Sequence, residues 1–162
     1  MIVSGSQTQT LAVALAAETG HEVAGVSFDR FPDGEGHVRV ETADRVDGEV
    51  LVVASTVSDA SHVELLQLQD AVREAGAGRV TTVLPYMGYA RQDTAFERGE
   101  PVSARAVARA ISTGTDRVLT VTPHEAAVCE YFTVPATPVE AAYLLADPLP
   151  TDLTDPLFLA PD

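Results

Sequence analysis

The chain contains no lysine, and all ten of its basic residues are arginine. That absence excludes a P-loop lysine, a Schiff-base lysine and a lysine general acid. Cys129 is the only cysteine. No intrachain disulfide can form, and a lone cysteine within Ala126 to Phe132 reads as a small buried hydrophobe. There is no Walker A pattern, no GxGxxG, no GxSxG elbow and no paired-cysteine metal site. Long apolar runs are also missing. The first residues, Met1 to Gln9, carry no positive charge and no extended hydrophobic stretch, so nothing reads as a signal peptide or a membrane span, and a cytoplasmic location is expected. Positive charge is scarce overall. Ten basic residues face 24 acidic ones, for a formal net charge of −14. Such a surface repels phosphate backbones and anionic lipids, which argues against nucleic-acid and membrane partners. It also suits a cytosol rich in salt, where screening weakens self-repulsion.

What is present is a core. With 46% hydrophobic residues in 162, the chain can bury one domain. Short apolar runs alternate with helical patterns. Strands are predicted at Ile2-Val3, Val23 to Val26, His37 to Val40, Val50 to Ala54, Val80 to Leu84, Val118 to Val121 and Leu157 to Ala160. Helices are predicted at Thr8 to Thr19, with Leu11, Ala14 and Leu15 inward and Gly20 as the stop, and at Ser103 to Ser112. Another starts near Ser61, whose S-x-x-E spacing to Glu64 fits a capping box, and carries Leu65, Leu68, Val72 and Ala75 on one face. A last one is expected over Val139 to Leu145. The alternation implies an α/β fold with a mainly parallel sheet flanked by helices. Ligands of such sheets gather at the carboxyl ends of strands, here after Leu84, Val121 and Ala160. A chain stopping at Pro161-Asp162, directly after a strand, reads as one half of a longer protein.

The segment Pro85 to Asp93 is the richest in chemistry. Arg91 offers a planar fork for phosphate, and the Gln92 amide can both donate and accept. Four of the ten arginines fall between Arg91 and Arg109, which favours an anionic ligand. The alternative is a solvated loop with Arg91 and Asp93 as a surface pair. Phe31-Pro32-Asp33-Gly34-Glu35 places an aromatic face and two carboxylates on one turn. They suit a base and a ribose, or serve a polar turn alone. His124 follows a strand, where it can meet a metal or phosphate or be structural. His21, His37 and His62 read as surface residues.

Taken in order, these segments resemble the ribose-phosphate pyrophosphokinase family. The likeness runs through Ser4-Gly5, Phe31 to Glu35, Glu64-Leu65-Leu66, Asp70-Ala71, Pro85 to Asp93, Glu100 to Arg105, His124 and Ala160-Pro161-Asp162. The string PYMGYARQD is the most specific part, and the spacing from Asp93 to Glu100 looks archaeal. The resemblance implies a phosphoribosyltransferase-like domain with a short antiparallel hairpin. Residues 1–162 would be the N-terminal ATP-binding domain of a two-domain enzyme. That enzyme moves the diphosphate of Mg-ATP onto the 1-hydroxyl of ribose 5-phosphate. By the same resemblance Phe31, Asp33, Gly34 and Glu35 contact adenine, reaching the site of a neighbouring subunit in a homo-oligomer. Arg91, Gln92 and Asp93 bind ATP, and His124 and Asp162 help hold Mg²⁺. No catalytic residue is implied within this half. The chain departs from the family at Thr122, where an aspartate is usual, and at Ala127, Thr94 and Ala95. Those departures leave room for a non-catalytic regulatory paralogue. A phosphoribosyltransferase is the other alternative, though its acidic phosphoribosyl-pyrophosphate loop is not found.

Overall fold

Four of the apolar runs become neighbouring strands of one parallel sheet. The computed structural model describes residues 1–150, 152, 153 and 155–157. The strands are β1 (Ile2–Ser4), β2 (Val26–Arg30), β3 (Gly36–Val40), β4 (Glu49–Val53), β5 (Arg79–Leu84), β6 (Arg117–Val121) and β7 (Ala136–Val139). The main sheet has the order β1-β4-β5-β6-β7 and every pairing in it is parallel. β2 and β3 form a separate antiparallel hairpin, with Val26 opposite Val40 and Arg30 opposite Gly36. The expected α/β architecture with a short hairpin is therefore observed.

Among the described residues three α-helices accompany the sheet: α1 (Gln9–Thr19), α2 (Asp59–Glu74) and α3 (Ser103–Ser112). Side chains alternate across each strand, so successive residues enter different layers. Val3, Val50, Val52, Val80 and Val118 pack with Leu65, Leu68 and Val72 of α2 and with Ala104, Ala108 and Ile111 of α3. Ile2 and Val53 point the other way, onto Ala12 of α1. The predicted bounds of α3 match those observed, and its buried residues are Ala104, Ala108, Ile111 and Ser112.

Some sequence expectations fail for identifiable reasons. In α1 the buried residue is Ala12, while Leu11 is 39% exposed. Gly20 does end this helix, at φ 72°. The capping box of α2 lies one turn earlier than expected. Ser58, in extended conformation, caps the Ser61 N–H at 3.2 Å, and the Ser61 hydroxyl accepts the Ser58 N–H at 2.7 Å. Glu64 is thereby free for a distant partner, the Ser6 N–H, at 2.7 Å. No strand spans Val23 to Val26. Backbone bonds between Ile2 and its partners Glu22 and Ala24 draw that segment to the edge of β1, and Val26 begins β2 instead. No α-helix spans Val139 to Leu145. Val139 ends β7, which pairs with β6 from Val118↔Ala136 to Val121↔Val139, and a short 3-10 turn follows at Ala142–Ala146. Pro138 sits within β7, and an edge strand tolerates its missing N–H. The strand expected at Leu157 to Ala160 falls largely outside the described residues, as does Asp162. Among the described residues no helix is long and apolar enough to cross a membrane.

Candidate functional site

The residues singled out by sequence gather in two clefts. The first lies at the carboxyl ends of β5 and β6. After Leu84 the chain enters an irregular loop anchored by Met87 and Ala90, each 5% exposed. With those two side chains buried, Arg91 turns outward. It lines a cleft of about 290 Å³ together with Tyr86, Thr122, Pro123 and His124. Arg91 and His124 are distant in sequence, and the parallel pairing of β5 with β6 brings them to one rim.

Two backbone positions around this cleft are unusual. Tyr89 has φ 63° and Thr122 has φ 38°. Left-handed backbone is costly for any residue with a Cβ, and more so for a β-branched one. At Thr122 the conformation is held by local bonds. Its N–H donates to the Val139 carbonyl at 2.8 Å, and its hydroxyl accepts the Ala141 N–H at 3.1 Å and donates to Glu140 at 3.3 Å.

Gln92 is partly committed. Its Oε1 accepts the Ser103 hydroxyl, and its carbonyl accepts the Ala104 N–H at 3.1 Å, so this residue fastens the loop to the start of α3. The Nε2 hydrogens are what the side chain can offer a ligand. Asp93 is fastened through its carbonyl, which accepts the Tyr131 hydroxyl at 2.7 Å.

The second cleft, of about 940 Å³, separates the hairpin from α2 and is lined by Phe31, Glu35, His37, Val63, Glu64 and Gln67 among others. The turn that joins β2 to β3 organises itself. Gly34, at φ 92°, donates to the Phe31 carbonyl at 2.8 Å, and the Asp33 carboxylate accepts the Glu35 N–H at 3.1 Å. Arg30 reaches the Gly34 carbonyl at 2.7 Å. Phe31 remains 48% exposed, with its ring 5.0 Å from that of His37. His37 is therefore not an idle surface residue, but a neighbour of the aromatic face. Phe31 and Glu35 share no lining residue with Arg91 and His124, so one copy of the chain does not unite the two groups in one cleft.

His62 was also read as a surface residue. It is half-buried on α2, its Nε2 is buried without a partner among the described residues, and burial lowers its pKa, opposed by the nearby Asp59 charge. Gly88 packs against it, close enough that a Cβ there would lie 3.0 Å from the His62 Nε2. One signal was available, since His62 adjoins Ser61 and Leu65 at helical spacing. Cys129 is half-buried rather than fully buried, with Val128 as the core residue, and burial pushes its thiol pKa up.

His124 is exposed, and among the described residues no group of three or more His, Cys, Asp or Glu side chains is placed to hold a metal. Magnesium favours oxygen ligands and keeps several waters, usually binding through one or two protein groups plus phosphate. The cleft offers the exposed His124 imidazole and the Thr122 hydroxyl, which is already bonded to Glu140 and Ala141, so an ion here would need most of its oxygen ligands from a bound phosphate and water. These two side chains do not fit a cage built wholly from protein.

Comparisons with known proteins bear on the family and the fold. Residues 1–114 match the model of the N-terminal domain of ribose phosphate pyrophosphokinase. A ribose-phosphate pyrophosphokinase from Halobacterium salinarum is 64% identical over 163 aligned positions, covering 100% of this chain and 57% of that protein. One from Methanosarcina mazei is 44% identical, covering 99% of this chain and 53% of its own length. The crystal structure of phosphoribosylpyrophosphate synthetase from Mycobacterium smegmatis superposes with a TM-score of 0.79 at 32% identity, covering 91% of this chain and 50% of that one. The chain thus spans about half the length of the curated relatives it matches. From its family model, its relatives and its fold, the chain belongs to the ribose-phosphate pyrophosphokinase family.

Proposed function

We propose that this chain is the ATP-binding half of a cytoplasmic ribose-phosphate diphosphokinase that serves nucleotide biosynthesis. The observation that carries the reading is the cleft where the β5 and β6 strand ends bring Arg91 and His124 together. Arg91 grips the triphosphate with its planar fork, and Gln92 donates through Nε2. His124 and Asp162 would help hold the magnesium that accompanies the nucleotide. The chemistry magnesium supplies when bound is neutralisation of charge along the triphosphate.

In the reaction the 1-hydroxyl oxygen of ribose 5-phosphate attacks the β-phosphorus of ATP. The bond from that phosphorus to the α,β-bridging oxygen breaks, AMP leaves, and the hydroxyl proton is lost. This chain holds and orients the nucleotide. The ribose 5-phosphate site and the groups that drive transfer belong to the rest of the enzyme, so residues 1–162 form one of two domains. Separation of the two clefts supports the further reading that Phe31, Asp33, Gly34 and Glu35 serve the adenine of a neighbouring subunit in a homo-oligomer.

Mg-ATP titration into the full-length protein and its Arg91→Ala variant tests the assignment. Charge-assisted hydrogen bonds are worth about 1.5–3 kcal/mol, so affinity should fall by about tenfold to a hundredfold. Unchanged affinity would place the ATP site elsewhere. The 162-residue chain alone should release no AMP from ATP and ribose 5-phosphate. Release at the full enzyme's rate would refute the division of labour.

A further inference from the structure

The loop that carries Arg91 is gripped from behind by α2. The grip involves residues to which the nucleotide reading gives no role. We propose that Asp59, acting through Tyr89, is a positioning residue for ATP, holding the loop after β5 in the turn that presents Arg91 to the cleft. The proposal rests on Arg91 as an ATP contact.

The turn does not hold itself. Tyr89 is left-handed at φ 63°, a conformation that a large side chain keeps only when its surroundings enforce it. Its carbonyl accepts the Gln92 N–H at 3.1 Å, closing a turn over Ala90 and Arg91. If Tyr89 relaxes to negative φ, that turn opens and Arg91 moves. Beyond the turn the chain is fixed, since Gln92 is fastened to Ser103 and Ala104. Before it the chain is fixed too. The Gly88 N–H donates to the Thr56 hydroxyl at 2.9 Å, and the Thr56 N–H donates to the Tyr86 carbonyl at 3.0 Å. Tyr89 links these anchors, and its side chain is bonded to α2.

That hold is polar. The Tyr89 hydroxyl donates to the Asp59 carboxylate, and its ring lies 5.5 Å from that of His62, one turn further along α2. Packing alone does not confine the ring. Tyr89 is 48% exposed, and a gap of about 180 Å³ lies between it and Leu66, Val107 and Ile111. Asp59 is itself well placed, in the first turn of a helix whose start is set by the Ser58–Ser61 box. A carboxylate there is also favoured by the helix dipole.

The test uses the full-length enzyme, with Asp59→Ala, Tyr89→Phe, the double variant, Asp59→Asn and Arg91→Ala. Amide hydrogen exchange reads the loop at Gly88 and Gln92, and Mg-ATP titration and steady-state kinetics read the site. Loss of one charge-assisted bond at a half-exposed position should weaken Mg-ATP by about fivefold. The proposal expects Asp59→Ala and Tyr89→Phe each to speed exchange at Gln92 and to raise KM for ATP, with kcat and KM for ribose 5-phosphate within about twofold of the parent. The double variant should be no worse than the singles, because both remove one interaction. Asp59→Asn keeps an acceptor for the hydroxyl and should recover most of the loss. If Arg91→Ala weakens ATP while Asp59→Ala and Tyr89→Phe change neither exchange nor affinity, the positioning role is overturned alone. A matching rise in the KM for ribose 5-phosphate would also overturn it, as general loosening. If Arg91→Ala leaves ATP affinity intact, the nucleotide reading fails and takes the proposal with it.

Discussion

Gly88→Ala is the sharpest single test of how the loop is seated. A methyl group at this position overlaps the Thr56 carbonyl oxygen and comes within 3.0 Å of the His62 Nε2. The first obstacle is backbone, and it is tied down, because Thr56 is bonded to Tyr86 at 3.0 Å and to Gly88 at 2.9 Å. Neither side can yield cheaply. Overpacking of this kind costs about 1–3 kcal/mol, and an immovable backbone neighbour puts the cost at the upper end. The loss of unfolded-chain entropy on going from glycine to alanine returns about 0.4–1 kcal/mol. A net loss of about 2 kcal/mol remains. For a domain of this size each kcal/mol moves the melting temperature by about 2–4 °C, so thermal unfolding should shift down by about 4–8 °C. Gly36→Ala is the control. It has nothing within 4 Å of its added Cβ and no positive φ, and should melt at or slightly above the parent temperature. Calorimetric scans of both variants decide the matter. If Gly88→Ala melts with Gly36→Ala, the loop is not packed on Thr56 and the account of its seating is wrong.

Gln92→Glu keeps the acceptor for Ser103 but removes the amide donors. It should weaken Mg-ATP by about tenfold in titration with little change in melting, whereas equal affinity would show that Nε2 makes no nucleotide contact. Asp116 accepts the Val80 N–H at 2.7 Å and meets Arg73 at 2.5 Å; the Val80 bond, followed by Arg73, holds its pKa below the usual carboxylate range. Asp116→Asn should cost about 1 kcal/mol by urea unfolding at neutral pH, and the difference should shrink as acid protonates the parent carboxylate; a constant gap would reject the charge argument. His62 has its pKa lowered mainly by burial, so the folded state disfavours its proton. Its contribution is complete above the unfolded value of about 6.5 and is lost as pH falls towards the lower folded value, so His62→Gln should flatten stability against pH in that window. With 24 acidic and ten basic residues, unfolding midpoints should rise from low to molar salt, and a flat response would discard the salt-adapted reading.

Much of the scaffold was legible because parallel strands buried on both faces leave continuous apolar runs. Val50 to Ala54 is of that kind, Val80 to Leu84 nearly so with Thr81 and Thr82 inside it, and α3 announced itself by the helical spacing of Ala104, Ala108 and Ile111. The errors cluster where a distant partner decides. Val139 to Leu145 carries a helix-compatible pattern, yet Val139 is taken by pairing with Val121. Glu64 has the right spacing to cap its own helix, but Ser58 does so and Glu64 serves Ser6 instead. The site divides in the same way. Strand-end logic pointed to the segments after Leu84 and Val121, and Arg91 and His124 from those segments line one cleft. It could not find the contact of Gly88 with Thr56 and His62, which depends on the height at which α2 crosses the loop. Nor could it show that Phe31 and Glu35 line a separate cleft.

Tyr89 and Thr122, at φ 63° and φ 38°, belong to the loop and the strand end around the cleft proposed to take nucleotide. Elsewhere such a residue is an easy target for improvement, because asparagine or glycine accepts left-handed backbone at lower cost. A directed-evolution campaign selecting only for heat resistance should therefore find gains at these two positions early. The clones it enriches would be more robust and poorer at holding nucleotide, so the cleft marks where thermal robustness and affinity pull apart.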